Sequence, residues 1–249
     1  MTRAEPVTVE AREALKAIAD DLAFLARLHD RELDRDTLDR LATAPPASWF
    51  SLSLASEEAR VGFELLTGFL ADYDARPDGR QALVEALAAD YADLYLTFGK
   101  RLSPTESFWL TEDHIERQEP MFEVRRWYHH HGLSARDWRK RPDDHLVHQL
   151  EFAAHLLVEA DPIQVKDAGR FLDRHLLRWS KSFLGGMARQ AATPFYAGLG
   201  LVTEAALEAV RTVLEEITGE PRTLADQLPE NRGNEAAEAA FLPGQAPNW

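Results

Sequence analysis

Apolar residues in this chain return every three or four positions and almost nowhere every two. Leu15, Ile18, Leu22, Leu25 and Leu28 make one such series, and Val61, Leu65, Leu66, Phe69 and Tyr73 a second. Leu83, Leu87, Tyr91, Leu94 and Phe98 follow, closed by Gly99; Leu146, Leu150, Ala153 and Leu157 come next. Ala168, Leu172, Leu176, Trp179 and Phe183 form a fifth series, with Gly185-Gly186 as its expected stop. The last holds Leu207, Val210, Leu214 and Ile217, with Gly219 and Pro221 just beyond. That step matches the turn of an α-helix, so each series is an apolar stripe on one face. A striped helix must cover that face with another helix, and an all-α bundle of about ten helices is expected. No alternating run closed by an Asn-Gly or Asp-Gly turn competes with this reading.

The bundle is expected over residues 1–220, with a possible hinge near 132–142. Residues 221–249 are rich in proline, glycine, alanine and acid, the composition of a poorly ordered acidic tail. The stretch from Phe98 to Met121 has weak periodicity, and a loop of that length in a compact domain is usually functional or mobile. There is no cysteine, which excludes disulfides, thiolate metal sites and cysteine nucleophiles. The amino terminus carries charge but no apolar core of a secretory signal. The uncharged window Gln190 to Thr203 is broken by Pro194, Gly198 and Gly200 and falls short of the ~20 apolar residues a bilayer crossing needs. A cytoplasmic protein without stable membrane insertion is expected. The net charge of −14 repels nucleic acid and draws cationic partners.

Three motifs carry possible chemistry. In Ser103-Pro104-Thr105-Glu106-Ser107, serine and glutamate stand at capping-box spacing with proline at the first helical position. Phe108 and Trp109 follow at once, either as core plugs or as a ligand platform. Pro142-Asp143-Asp144-His145 looks like a helix start with both aspartates in the first turn. On such a helix Asp144, His148, Glu151 and His155 share one side, which is either a solvated face or the ligand set of a metal-dependent enzyme. No HExxH is present, and the solvated reading is preferred. His129-His130-His131 reads as a solvated run closing a helix before Gly132. Gly198-Leu199-Gly200 lacks the strand and third glycine of a dinucleotide loop.

The order of these motifs resembles the TorD/DmsD family of cytoplasmic redox-enzyme maturation chaperones, related to the NarJ group, over about residues 12–218. The family's Tyr-x-x-Leu-Phe appears as Tyr91-Ala-Asp-Leu94-Tyr95, with tyrosine in the last place. Its Pro-x-Glu-Ser and aromatic appear as Pro104 to Trp109, and its Glu-Pro-x-Asp-His as Arg141 to His145, without the leading glutamate. The series Phe171, His175, Leu176, Trp179, Phe183 and the series Phe195, Tyr196, Leu199, Thr203 also match family positions. The resemblance implies a chaperone, not an enzyme, with no cofactor of its own. Its expected partners are the twin-arginine signal peptide and apoprotein of a molybdenum-cofactor enzyme awaiting Tat export, and it acts as monomer or homodimer. The binding residues it implies are Tyr91, Leu94, Tyr95, Pro104, Glu106, Ser107, Phe108, Trp109, Pro142, Asp144 and His145. The aromatics would bury the apolar part of the leader, while Asp144 and Glu106 would meet its arginines.

Overall fold

The computed structural model describes residues 8–97 and 100–223. Phe98, Gly99 and the expected tail from residue 224 onward lie outside them. Among the described residues all regular structure is helical, apart from one isolated backbone bridge between Thr105 and His145. The α-helices are α1 (Val9–Asp30), α2 (Arg35–Leu41), α3 (Glu57–Ala75), α4 (Arg80–Tyr91), α5 (Glu106–Leu110), α6 (Glu119–His130), α7 (Leu146–Val158), α8 (Pro162–Phe171), α9 (Leu177–Gln190) and α10 (Pro194–Thr218). The expected all-α bundle is what the chain forms.

Local chemistry sets most of the boundaries. Thr8, Asp34, Ser56, Asp161 and Thr193 each accept a backbone N–H of the first turn that follows, satisfying donors a helix start leaves open. Gly219 ends α10 in the left-handed conformation, φ 67°, as its position after the last stripe predicts. One expectation is corrected. Gly185-Gly186 does not stop α9, which continues to Gln190. A Cβ on Gly186 would come within 2.5 Å of Leu102, so that glycine makes room for a neighbour. Within the window from Gln190 to Thr203, Pro194 opens α10, the longest helix described.

α10 packs against α3 and α9, while α1 packs along α7. The α3–α10 crossing is tight because Gly62 faces Gly198. A Cβ at either position would stand 2.9 or 2.7 Å from the other's carbonyl oxygen. Gly200 does the same toward α9, 2.8 Å from the Leu184 carbonyl. The glycine pair that failed as a nucleotide loop is therefore a packing device. The core between these helices is aliphatic and aromatic, with Trp179, Tyr73, Tyr196, Phe171, Phe183 and Phe195 fully enclosed.

Two helices change pitch along their length. α4 runs into a π-helical turn, Ala92–Leu96, and α8 reaches α9 through another, Leu172–Leu176. Such turns insert residues into the helix register and are common beside functional sites. The first presents Leu94 and Tyr95, and the second His175.

Candidate functional site

The two central motifs lie side by side. Glu106 N–H donates to the Asp144 carbonyl at 3.1 Å and Leu146 N–H to the Pro104 carbonyl at 2.8 Å, forming the antiparallel bridge at Thr105 and His145. The helix begins later than the sequence suggests. His145, not Pro142, caps α7, its Nδ1 accepting from Val147 N–H at 3.1 Å. Asp144 is therefore off that helix, turned toward α5. Its Oδ2 accepts from Ser107 N–H at 2.8 Å and Ser107 Oγ–H at 2.5 Å, so the cap for α5 comes from across the bridge. The capping box expected of Ser103 and Glu106 does not form. Ser103 Oγ–H donates instead to Glu116 at 2.8 Å.

Glu106 points inward and is 0% exposed. It accepts from His175 Nδ1–H at 3.0 and 3.1 Å and from the Gln149 amide at 2.8 Å. Gln149 also donates to the Asp144 carbonyl, and its own carbonyl accepts from Trp179. A buried carboxylate without such partners would cost several kcal/mol, and here α7 and the Leu172–Leu176 turn supply them. Asp144 is also fully enclosed, with Oδ1 unpartnered. Burial is the main cause that raises its pKa to about 6, against the lowering effect of its Ser107 hydrogen bonds. The expectation that Asp144 and Glu106 face a ligand's arginines is thus corrected. Both carboxylates lock the two motifs together instead.

Above this junction lies a cleft of about 920 Å³. Five of the eleven expected residues line it: Tyr91, Tyr95, Pro104, Pro142 and His145. Leu94, Glu106, Ser107 and Asp144 lie buried beneath. Phe108 and Trp109 lie on α5 away from the cleft, half-buried, with the Trp109 indole N–H donating to the Ser103 carbonyl at 2.8 Å. Asp30 anchors the cleft floor. Its carbonyl accepts from Tyr91 O–H at 2.9 Å, and Arg141 binds both that carbonyl and the carboxylate. Tyr95 is held by His29. Thr203 spends its own proton on the Leu199 carbonyl, so His29 Nε2–H donates to Thr203 at 2.9 Å, and Nδ1 accepts from Tyr95 at 2.5 Å. Burial lowers the pKa of His29 to about 3 and holds His145 well below its usual range, so both rings are neutral at pH 7.

The opposite wall was not anticipated: it is the connection between α6 and α7, contributing Leu133, Ala135 and the charged Arg136, Asp137, Lys140 and Arg141. Nothing in its composition distinguishes it from any polar loop. Glu116 and Glu151 add acid, and Leu96 adds an apolar edge that is 58% exposed. The face of Asp144, His148, Glu151 and His155 does not form a ligand set, since Asp144 is bound to Ser107 and His148 pairs with Glu151 at 3.3 Å.

The helices thus hold an open, partly apolar cleft between tied-down motifs. A family model described as nitrate reductase delta subunit matches residues 55–185, over half of the 249 positions, and the chain belongs to that family. The Chaperone protein TorD of Vibrio cholerae serotype O1 strain O395 is 24% identical over 205 residues, covering 79% of this chain and 91% of that one. The TorD chaperone of Escherichia coli O157:H7 strain EC4115 is 31% identical over 139 residues, covering 56% and 64%. The resemblance read from the motifs is borne out, and these relatives are named as chaperones, not as enzymes. No helix among the described residues is long and apolar enough to cross a membrane.

Proposed function

We propose that this protein is a cytoplasmic maturation chaperone for a molybdenum-cofactor oxidoreductase, holding the enzyme's apo form through its twin-arginine signal peptide until export. The single observation that supports this most is the cleft itself, where three separated family motifs meet. A twin-arginine leader is a short basic stretch followed by a moderately apolar one. Tyr91, Tyr95, Leu96 and Leu133 offer the apolar stretch a surface, as grooves between helices do for amphipathic segments. Glu151 and Glu116 meet only His148 and the Ser103 and Thr105 hydroxyls among the described residues, so they are the cleft carboxylates offered to arginine, whereas Asp30 and Asp137 already pair with Arg141 and Lys140. The 132–142 connection, expected to hinge, is the movable wall in this reading. Asp144, Glu106 and Ser107 act as positioning residues.

Calorimetry of the full chain with a synthetic leader peptide tests the proposal. Binding is expected, weakened about tenfold by Leu96→Ala, whose exposed side chain leaves the fold intact, through lost apolar contact worth ~1–2 kcal/mol. Glu151→Gln should weaken it most at low ionic strength. Equal affinity for peptides with Arg-Arg and Ala-Ala would remove the electrostatic half of the reading, and no binding would remove the whole.

A further inference from the structure

The histidine run, which the sequence assigns to solvent, holds the one cluster of three His/Asp/Glu side chains among the described residues whose ligand atoms all come within 4.8 Å of one another: His130, His131 and Asp167. We propose that these three form a binding site for a divalent transition metal, zinc by preference, that ties the end of α6 to α8. This is independent of the peptide-binding reading.

Adjacent residues on a helix point about 100° apart and rarely share a ligand. Here α6 ends at His130, and His131 leaves the helical path at φ −94°, ψ 14°. The two rings therefore lie 5.0 Å apart between centroids. The His131 side chain is only 8% exposed, yet its Nε2 has no hydrogen-bond partner. The facing atom is Asp167 Oδ2 at 3.6 Å, beyond hydrogen-bonding range. Two donor atoms bound to zinc at ~2.0–2.1 Å in a tetrahedron stand ~3.4 Å apart, so this pair already spans nearly one tetrahedral edge. His130 is exposed and free to rotate the remaining distance. Arg170 donates to Asp167 Oδ1 at 3.2 Å, leaving Oδ2 turned toward the imidazoles, the outer-shell support such carboxylates usually have.

Two imidazoles and one carboxylate suit zinc or a neighbouring first-row ion far better than magnesium or calcium, which take oxygen ligands. A fourth position would be left to water. The ion would sit at the root of the wall that runs from Leu133 to Arg141 along the cleft.

The test uses full-length protein without a polyhistidine tag, titrated with zinc chloride, and the cobalt-substituted form examined by absorption spectroscopy. Stoichiometric binding is expected, with the intense bands of tetrahedral cobalt. His130→Ala and Asp167→Asn should each weaken binding about tenfold or more. His129→Ala, next in sequence but outside the cluster, should leave it within about twofold, and circular dichroism checks that each variant is folded. The site is refuted by substoichiometric binding, by a weak octahedral cobalt spectrum, or by zinc affinity that survives both His130→Ala and Asp167→Asn. It is equally refuted if His129→Ala weakens binding as much as those variants do, which would mark a surface histidine run.

Discussion

Asp144 shows how far a residue's task can differ from its letter. As an acid beside a histidine it suggests a contact for a basic ligand; enclosed at 0% exposure, it serves as the cap of α5. Its pKa of about 6 exceeds the ordinary 3.8, so the fold prefers the protonated form. Its contribution to stability is complete below about pH 4 and is lost as pH rises through about 6, a cost of ~3 kcal/mol at pH 7. His29 and His145 push the opposite way, because both are held neutral and lose stability as pH falls below their usual pKa. The total curve mixes these effects, but the difference between Asp144→Asn and the parent isolates one. Denaturant unfolding at a series of pH values should show the variant gaining on the parent by up to ~3 kcal/mol between pH 4 and 7. A flat difference would mean that Asp144 is ionised without penalty.

Elements in this protein are placed by glycine and by irregular turns as much as by stripes. The Gly62–Gly198 contact brings the backbones of α3 and α10 together, and no side chain fits between them. Gly198→Ala should cost a net ~1–2 kcal/mol, since overpacking outweighs the ~1 kcal/mol that alanine gains in a helix. Gly68→Ala lies in the same α3 with nothing within 4 Å of the new methyl, and should stabilise by up to ~1 kcal/mol. Thermal melts of the two variants should move in opposite directions, and a shared direction would mean that α3 and α10 are not closely packed there. The π turns are a second such device. The first carries Tyr95, which lines the cleft, and the second carries His175, which meets Glu106.

The whole molecule carries a charge of −14, while the cleft is mixed, with Arg136, Lys140 and Arg141 on its wall and Glu116, Asp137 and Glu151 beside them. Long-range attraction and local contact therefore act separately. Under the proposed function the overall field draws a basic leader in, and it is screened over a Debye length of ~8 Å at physiological salt. Stopped-flow association with a twin-arginine peptide should slow several-fold as salt rises from ~10 mM to ~500 mM, with dissociation much less affected. Salt-independent association would place recognition in short-range contacts alone.

Helical class, most stripes and the stop at Gly219 were legible in the sequence, because they depend on periods and side-chain chemistry within a few residues. So was the family, carried by motifs in order. What lay beyond reach was every assignment that needed two distant segments: whether Asp144 points to solvent or to Ser107, whether Glu106 finds Ser103 or His175, whether Gly198 makes a loop or a crossing. Charge and polarity name the bonds a side chain can make, while packing across the bundle decides which partner is within 3 Å and whether water can compete. His131 and Asp167, 36 positions apart, face each other only because α6 and α8 do.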